Sequence, residues 1–163
     1  MPKVFLCCML IFGMAIVACG EKNDENKQDA SSDSAAMAGD AEAILGSWKP
    51  VKAELAGKPM PDAAFQSIRL KLDQTNYEAI AGGKPDRGTY VLDATTTPRS
   101  MTITGTEGPN LGKSIPAIYE LKTDTLRICY NLAGENRPSD FSSIAGTQLL
   151  LVTYIRLNES EGD

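Results

Sequence analysis

The sequence predicts an all-β fold, an eight-stranded antiparallel up-and-down barrel. From residue 44 onward, short apolar or alternating segments are separated by turn-forming residues, a pattern typical of antiparallel sandwiches and barrels. Most connections are short, so strands adjacent in sequence should be adjacent in the sheet. Closure of such a sheet into a barrel removes the exposed edges that an open sheet would leave.

Eight segments have the length and composition of strands. Alternation is clearest in the second, where Ile68, Leu70 and Leu72 share one face. The last segment is apolar on both faces, so both faces should be covered. The predicted strands are residues 46–55, 67–73, 75–81, 87–93, 99–105, 114–121, 125–132 and 148–157.

Two connections are longer than a turn. Between the first and second predicted strands, Pro61 and Asp62 are placed to start a short helical turn through residues 63–65, which we expect to cap one end of the barrel. Between the seventh and eighth lies the loop 133–146, whose length suggests function or internal packing.

The charged residues of this long loop have two interpretations. In the first, Arg137 reaches an anionic ligand group at the barrel mouth. In the second, the loop folds onto the barrel with Phe141 as a plug, while Asp140 pairs with Arg137 or accepts hydrogen bonds from backbone amides.

The N-terminal segment has the features of a secretory signal. Residues 4–18 are apolar, follow Lys3, and are shorter than the roughly 20 residues that a spanning helix needs. The run Ile16-Val17-Ala18-Cys19-Gly20 then resembles the lipobox of bacterial lipoproteins. The resemblance implies cleavage before Cys19, a diacylglycerol thioether on Cys19, and an acylated new amino group.

Two alternatives to lipidation are an uncleaved membrane helix and an ordinary signal peptide with an accidental cysteine. If Cys19 is lipidated, the protein belongs to the cell envelope and its partner is a membrane. Because Gly20 is not the aspartate that retains lipoproteins at the inner membrane in the best-studied Gram-negative sorting system, the outer membrane is favoured.

The chain is therefore divided into four parts. Residues 1–18 are the signal peptide, 19–43 the lipidated cysteine and a flexible tether, 44–158 the barrel, and 159–163 a disordered tail. Charged and small residues dominate the tether, which should reach about 25 Å as a random coil. The alternative for its end is a fraying helix over residues 35–45.

Composition excludes several classes of function. The 163 residues carry a formal charge of −5 and no histidine. The negative charge disfavours nucleic-acid binding. The absence of histidine removes the usual general base, nucleophile pairs with histidine, and imidazole metal sites. We therefore expect neither an enzyme nor a metal or other cofactor.

Three local motifs resemble those of lipocalins. Gly46-Ser47-Trp48 opens the first predicted strand as G-x-W does in that family, Thr123-Asp124 occupies the position of its T-D turn, and Arg156 lies near the end of the last strand, where the family has an arginine. The resemblance implies that Arg156 packs on Trp48 at the closed end of the barrel.

A closer resemblance extends from Leu45 to Arg156. The sequence is similar to an uncharacterised lipocalin-like domain family expanded in planctomycete bacteria, through the runs GSWKPVKAELAGKPMP, GGKPDRGTYVLD, PRSMTITGTEGPNLGKS, IYELKTDTLRIC and NRPSDFSS. The family implies the fold and almost nothing about activity.

One difference from lipocalins concerns cysteine. Lipocalins commonly carry a disulfide in the barrel, whereas this domain contains Cys129 alone. Cys129 is either a reactive thiol or a small residue buried under a loop.

Two functions are compatible with these features. In the first, the barrel binds a small apolar or amphipathic ligand, and the candidate ligand-binding residues are Tyr77, Tyr90, Tyr119, Tyr130 and Arg137. In the second, side chains fill the barrel, and the protein is a structural or interaction module for an envelope protein. In the last strand we expect Leu149 and Leu151 to face inward.

Overall fold

The computed structural model describes residues 39–158, which form a closed barrel of antiparallel strands. Signal peptide, Cys19, most of the tether and the C-terminal tail lie outside the described residues. The strands are β1 (Gly46–Leu55), β2 (Lys58–Pro59), β3 (Arg69–Asp73), β4 (Asn76–Ala81), β5 (Lys84–Asp93), β6 (Ser100–Glu107), β7 (Ser114–Lys122), β8 (Thr125–Asn131) and β9 (Leu149–Arg156).

Strand β1 closes the barrel because it pairs on both sides. Residues 46–48 pair with β3, and residues 48–55 pair with β9. From β3 to β9, each strand pairs with the next in sequence, so the barrel has eight strands in up-and-down order. The predicted fold class is confirmed. The two-residue β2, which was not predicted, only extends the hairpin at the end of β1.

The predicted helical turn between the first two barrel strands is confirmed as the helix Asp62–Phe65, preceded by Pro61. Phe65 is buried in the core and holds this helix against the barrel. Within residues 39–158, the helices are too short and too polar to span a bilayer.

The two ends of the barrel differ. The start of β1, the end of β9 and the β3–β4, β5–β6 and β7–β8 connections lie at one end, here called the closed end. Trp48 is fully buried there and donates from Nε1 to the carbonyl of Ile44 at 2.9 Å. The Arg156 guanidinium lies 4.2 Å from the centre of the Trp48 ring, so the contact implied by the lipocalin resemblance is present.

Residues 39–43 form a helical turn against the closed end, so the folded domain begins earlier than the expected residue 44. Asp40 is buried and accepts hydrogen bonds from the Tyr119 hydroxyl at 2.6 Å and from Arg99 Nη1 at 2.9 Å. Arg156 donates to the carbonyls of Ala43 and Leu45. The buried Asp40 carboxylate and the carbonyls of Ala43 and Leu45 thus accept hydrogen bonds from side chains of the barrel. The prediction of a flexible tether up to residue 43 did not include these contacts.

The inward set predicted for the last strand is wrong by one residue. Leu150, Val152 and Tyr154 face the core, whereas Leu149 and Leu151 face outward. The sequence of β9 is apolar on both faces, so its alternation has no preferred phase. Pairing with β8 sets the phase, since Val152 lies opposite the inward Ile128.

The loop between β8 and β9 covers the outer face of these two strands. Cys129 faces outward but is fully buried beneath this loop, where its thiol donates to the carbonyl of Ser142 at 3.5 Å. Burial raises the pKa of the thiol. The loop also packs Phe141 under the Arg127 guanidinium, 5.0 Å from the ring centre. Cys129 therefore occupies the position of a small packing residue.

Replacement of Trp48 by alanine should lower the free energy of unfolding by about 3–5 kcal/mol, because it leaves a large cavity at the closed end. Chemical denaturation followed by circular dichroism measures this change. Val91→Ala is the matched control, since Val91 is 69% exposed on the outer wall and should change stability little. A loss below about 1 kcal/mol for Trp48→Ala would show that the tryptophan does not hold the closed end together.

Candidate ligand-binding site

A cavity of about 330 Å³ opens at the end of the barrel opposite Trp48. This open end carries the β4–β5 turn and the β1–β3, β6–β7 and β8–β9 connections. The wall of the cavity is mostly apolar. Its large aliphatic side chains are Ile68, Leu70, Ile103, Ile115, Leu132 and Leu150.

A second cavity of about 280 Å³ adjoins the first beneath the helix Asp62–Phe65. The two share Ile68, Leu132, Leu150 and Tyr154 in their walls. Together they make the open half of the barrel interior an apolar recess.

Small residues occupy inward positions in this half of the barrel. Gly88 on β5 and Gly105 on β6 are buried, and neighbouring groups take the space beside them, whereas Ala79 on β4 is half-buried and lines the cavity. A Cβ at Gly88 would lie 2.6 Å from Cε1 of Tyr77, so the tyrosine ring occupies the space that a side chain there would need. A Cβ at Gly105 would meet the carbonyl of Asn110, which brings the β6–β7 loop over the mouth.

The rim carries one hydrogen-bonded polar cluster. Asp86 accepts from the backbone N–H of Asn110 at 3.1 Å, from its side-chain amide at 2.7 Å, and from the Tyr77 hydroxyl at 3.2 Å. Burial and then Asp86 raise the pKa of Tyr77. Asp86 thus ties the β6–β7 loop to β4 and β5, and exposed Lys84 lies beside it in the cavity wall.

Inside the cavity, two tyrosine hydroxyls meet. The Tyr130 and Tyr154 oxygens are 3.3 Å apart, and both side chains are buried. Burial, followed by the neighbouring Tyr154, raises the pKa of Tyr130 well above its usual value, and burial raises the pKa of Tyr154 to about 12. Both groups therefore stay uncharged at neutral pH.

The structure separates the four candidate tyrosines into two pairs. Tyr77 and Tyr130 line the cavity, as the ligand-binding hypothesis requires. Tyr119 lies instead at the closed end, where it is bonded to Asp40. Tyr90 is buried in the core but does not line the cavity, and its hydroxyl has no hydrogen-bond partner among the described residues.

Arg137 is on the outer wall and not at the mouth where the binding interpretation placed it. Its Nη1 donates to the carbonyls of Met101 at 2.5 Å and Ala117 at 2.6 Å, and its Nη2 donates to Thr102 Oγ1 at 3.0 Å. The guanidinium satisfies strand carbonyls of β6 and β7, so it fastens the loop to the barrel. In the described part of the chain, Asp140 accepts from Ser139 Oγ at 2.9 Å rather than pairing with Arg137.

Tyr154 is the cavity tyrosine that the sequence analysis missed. The error has the same origin as the wrong phase of β9, since the inward expectation for Leu149 and Leu151 turned Tyr154 outward. One signal could have corrected the phase of β9. The predicted contact of Arg156 with Trp48 places the even-numbered residues of β9 on the inner face of the barrel.

Alkaline pH should unfold the barrel together with ionisation of its tyrosines. All five tyrosines are buried with a raised pKa. The unfolded chain releases these protons at about pH 10, whereas the folded chain holds them to higher pH. Stability from this source is therefore complete below about pH 10 and falls as pH rises further.

Tyrosinate absorbance and circular dichroism, recorded during one alkaline titration, measure this coupling. Both signals should change in a single transition. Reversible ionisation of most tyrosines near pH 10 with an intact β spectrum would contradict the expectation.

Comparison with solved structures shows a similarity to a bacterial protein. A crystal structure of a DUF4847 family protein from Bacteroides vulgatus ATCC 8482 superposes with a TM-score of 0.46 and 13% sequence identity, over 74% of this chain and 98% of that one. The chain matches no protein-family model. The search of curated proteins found no significant match.

Proposed function

We propose that this protein is a membrane-anchored, lipocalin-like lipoprotein of the bacterial envelope that binds a small apolar or amphipathic ligand in its barrel. The observation that carries the proposal is the apolar cavity of about 330 Å³ at the open end. Ligand pockets have volumes of about 300–1,000 Å³, apolar walls and a few placed polar groups, and this cavity fits that description.

The rim favours entry of an apolar molecule. Leu111 is 66% exposed in the β6–β7 loop, and Leu55, Ile80 and Leu132 are more than one-third exposed at the same end of the barrel. Exposed apolar side chains around an apolar recess are typical of ligand-binding grooves. A ligand would thus meet apolar surface before it reaches the interior.

The described chain begins at the closed end of the barrel, opposite the mouth. The helical turn 39–43 packs against the closed end, so the preceding chain joins the barrel there. If Cys19 carries lipid, the tether connects the closed end to the membrane. The mouth is then at the end of the barrel that is not attached to the tether, with the outer membrane favoured as the site of anchoring.

The alternative function was a ligand-free interaction module with a filled barrel. Side chains do fill the closed half, where Trp48, Tyr119 and Leu126 are fully buried. The open half favours ligand binding over this alternative, because it contains an apolar cavity whose wall includes the small residue Ala79. The proposed function is binding and includes neither catalysis nor a cofactor.

Native mass spectrometry of the full chain tests the binding proposal. The chain is purified from its own host in an amphipol, so that no detergent competes for the cavity. We expect a reproducible extra mass that disappears on denaturation. Repeated observation of the apo mass alone, also after incubation with a lipid extract of the host, would favour the filled-barrel module.

Ala79→Leu should remove most of this extra mass while the fold persists, because it adds an aliphatic side chain to the cavity wall. Thr89→Leu places the same side chain on the outer face of β5 and should retain the ligand. Equal retention by both variants would place the bound molecule outside the cavity.

Cys19→Ala should abolish incorporation of labelled fatty acid, because it removes the thiol that would carry the diacylglycerol. Two or three acyl chains hold a protein firmly, since each buried CH₂ contributes about 0.8 kcal/mol. Cys129→Ala is the matched control and should retain the label, because Cys129 is buried in the barrel domain. Incorporation of labelled fatty acid into Cys19→Ala, or none into the wild type, would contradict lipidation of Cys19.

A further inference from the structure

We propose that the paired hydroxyls of Tyr130 and Tyr154 bind an uncharged oxygen acceptor of the ligand, such as a ketone or ester carbonyl. The inference rests on the proposed ligand-binding function and makes it more specific. It assigns the ligand class as apolar molecules with a neutral carbonyl group that enters the cavity.

The first argument is a count of protons and acceptors. Each tyrosine hydroxyl has one proton to donate. The 3.3 Å contact uses one of the two protons, whichever hydroxyl donates. Within residues 39–158, neither oxygen has another hydrogen-bond partner, so one O–H group remains free to donate in the cavity. A carbonyl oxygen is the simplest group that accepts this proton.

The second argument is that the other tyrosine hydroxyls are engaged elsewhere or turned away from the cavity. The Tyr77 hydroxyl donates to Asp86 at the rim, and that of Tyr119 donates to Asp40 at the closed end. Tyr90 does not line the cavity. Among the tyrosines, the Tyr130–Tyr154 pair is thus the one whose hydroxyls are free to bind a ligand in the cavity.

The third argument concerns charge. Lys84 and Asp86 are the charged side chains of the cavity wall, and both are near the rim, where Asp86 is already occupied by Asn110 and Tyr77. A charged ligand group beside the two buried tyrosines would lack a counter-ion, and burial of an unpaired charge is strongly unfavourable. The raised pKa of both tyrosines is consistent with a neutral site.

The test compares two probes of the same shape, 2-octanone and 2-methyl-1-octene, which differ in a C=O or C=CH₂ group. Their dissociation constants are measured on the full chain in an amphipol by displacement of the neutral dye N-phenyl-1-naphthylamine. The alkene affinity, corrected for the difference between the two probes in the free energy of transfer from water, gives the ketone affinity expected without a hydrogen bond. The free O–H should make the measured ketone affinity about 2- to 12-fold higher than this value. The Tyr130→Phe/Tyr154→Phe variant should lose this advantage and bind the alkene as well as the wild type does.

Tyr90→Phe is the matched control. It removes a buried hydroxyl of the same kind that is outside the cavity wall, so the ketone affinity should not change. Circular dichroism checks the fold of each variant. If the double variant does not fold, the single variants Tyr130→Phe and Tyr154→Phe replace it.

An infrared measurement on the wild type needs no variant. The carbonyl band of bound ¹³C-labelled 2-octanone should lie at lower wavenumber than that of the ketone in an alkane solvent, because a donated hydrogen bond weakens the C=O bond. An alkane-like band, or an unchanged ketone affinity in the folded double variant, would overturn the inference and leave ligand binding intact. If neither the dye nor the probes bind, the proposed function itself fails.

Discussion

Strand β1 hydrogen-bonds to β3 through residues 46–48 and to β9 through residues 48–55. This double pairing closes the sheet, and closure turns the inner faces of eight strands toward one another. Trp48 lies at the point where the two pairings meet, opposite Leu70 on one side and Arg156 on the other. Its ring fills the narrow end of the interior, and the Arg156 guanidinium covers it from outside.

The interior is filled unevenly along the barrel axis. At the closed end, large side chains meet the helical turn 39–43, and Asp40 satisfies donors from Tyr119 and Arg99. Toward the other end, the inward residues of β4, β5 and β6 become small. Gly88 and Gly105 pair across β5 and β6 beside a register shift between Arg87 and Gly88, so the wall stays closed there. Ala79 on β4 is the small residue that lines the cavity.

The external layer has its own structural role. The loop 133–146 lies on the outside of the barrel, where Arg137 caps carbonyls of β6 and β7 and Phe141 packs under Arg127. This cover buries Cys129 and explains why β9 can be apolar on both faces. The loop thus stabilises the wall from outside, while the β6–β7 loop, held by Asp86, shapes the mouth.

Much of the fold could be predicted because its signals are local. Alternation, turn residues and the Pro61-Asp62 helix start each depend on a few neighbouring residues, and the Trp48–Arg156 contact followed from a family motif. The positions of the tyrosine side chains in the barrel were harder to predict from the sequence. Two of the four candidates line the cavity, and Tyr154 was missed because the phase of β9 depends on its partner β8. The charge and loop position of Arg137 suit a ligand site and a structural role equally well, so the sequence could not distinguish the two.

The sequence by itself determined the order of the eight barrel strands, because periodicity and short turns act over short distances, and the lipocalin resemblance implied the Trp48–Arg156 contact at the closed end. Tertiary structure alone decided that the opposite end holds a cavity, which tyrosines face the same space, and that two hydroxyls meet without a charged partner. These properties depend on contacts between residues far apart in sequence, such as Tyr130 with Tyr154 and Gly88 with Tyr77, and those contacts exist only once the barrel has closed.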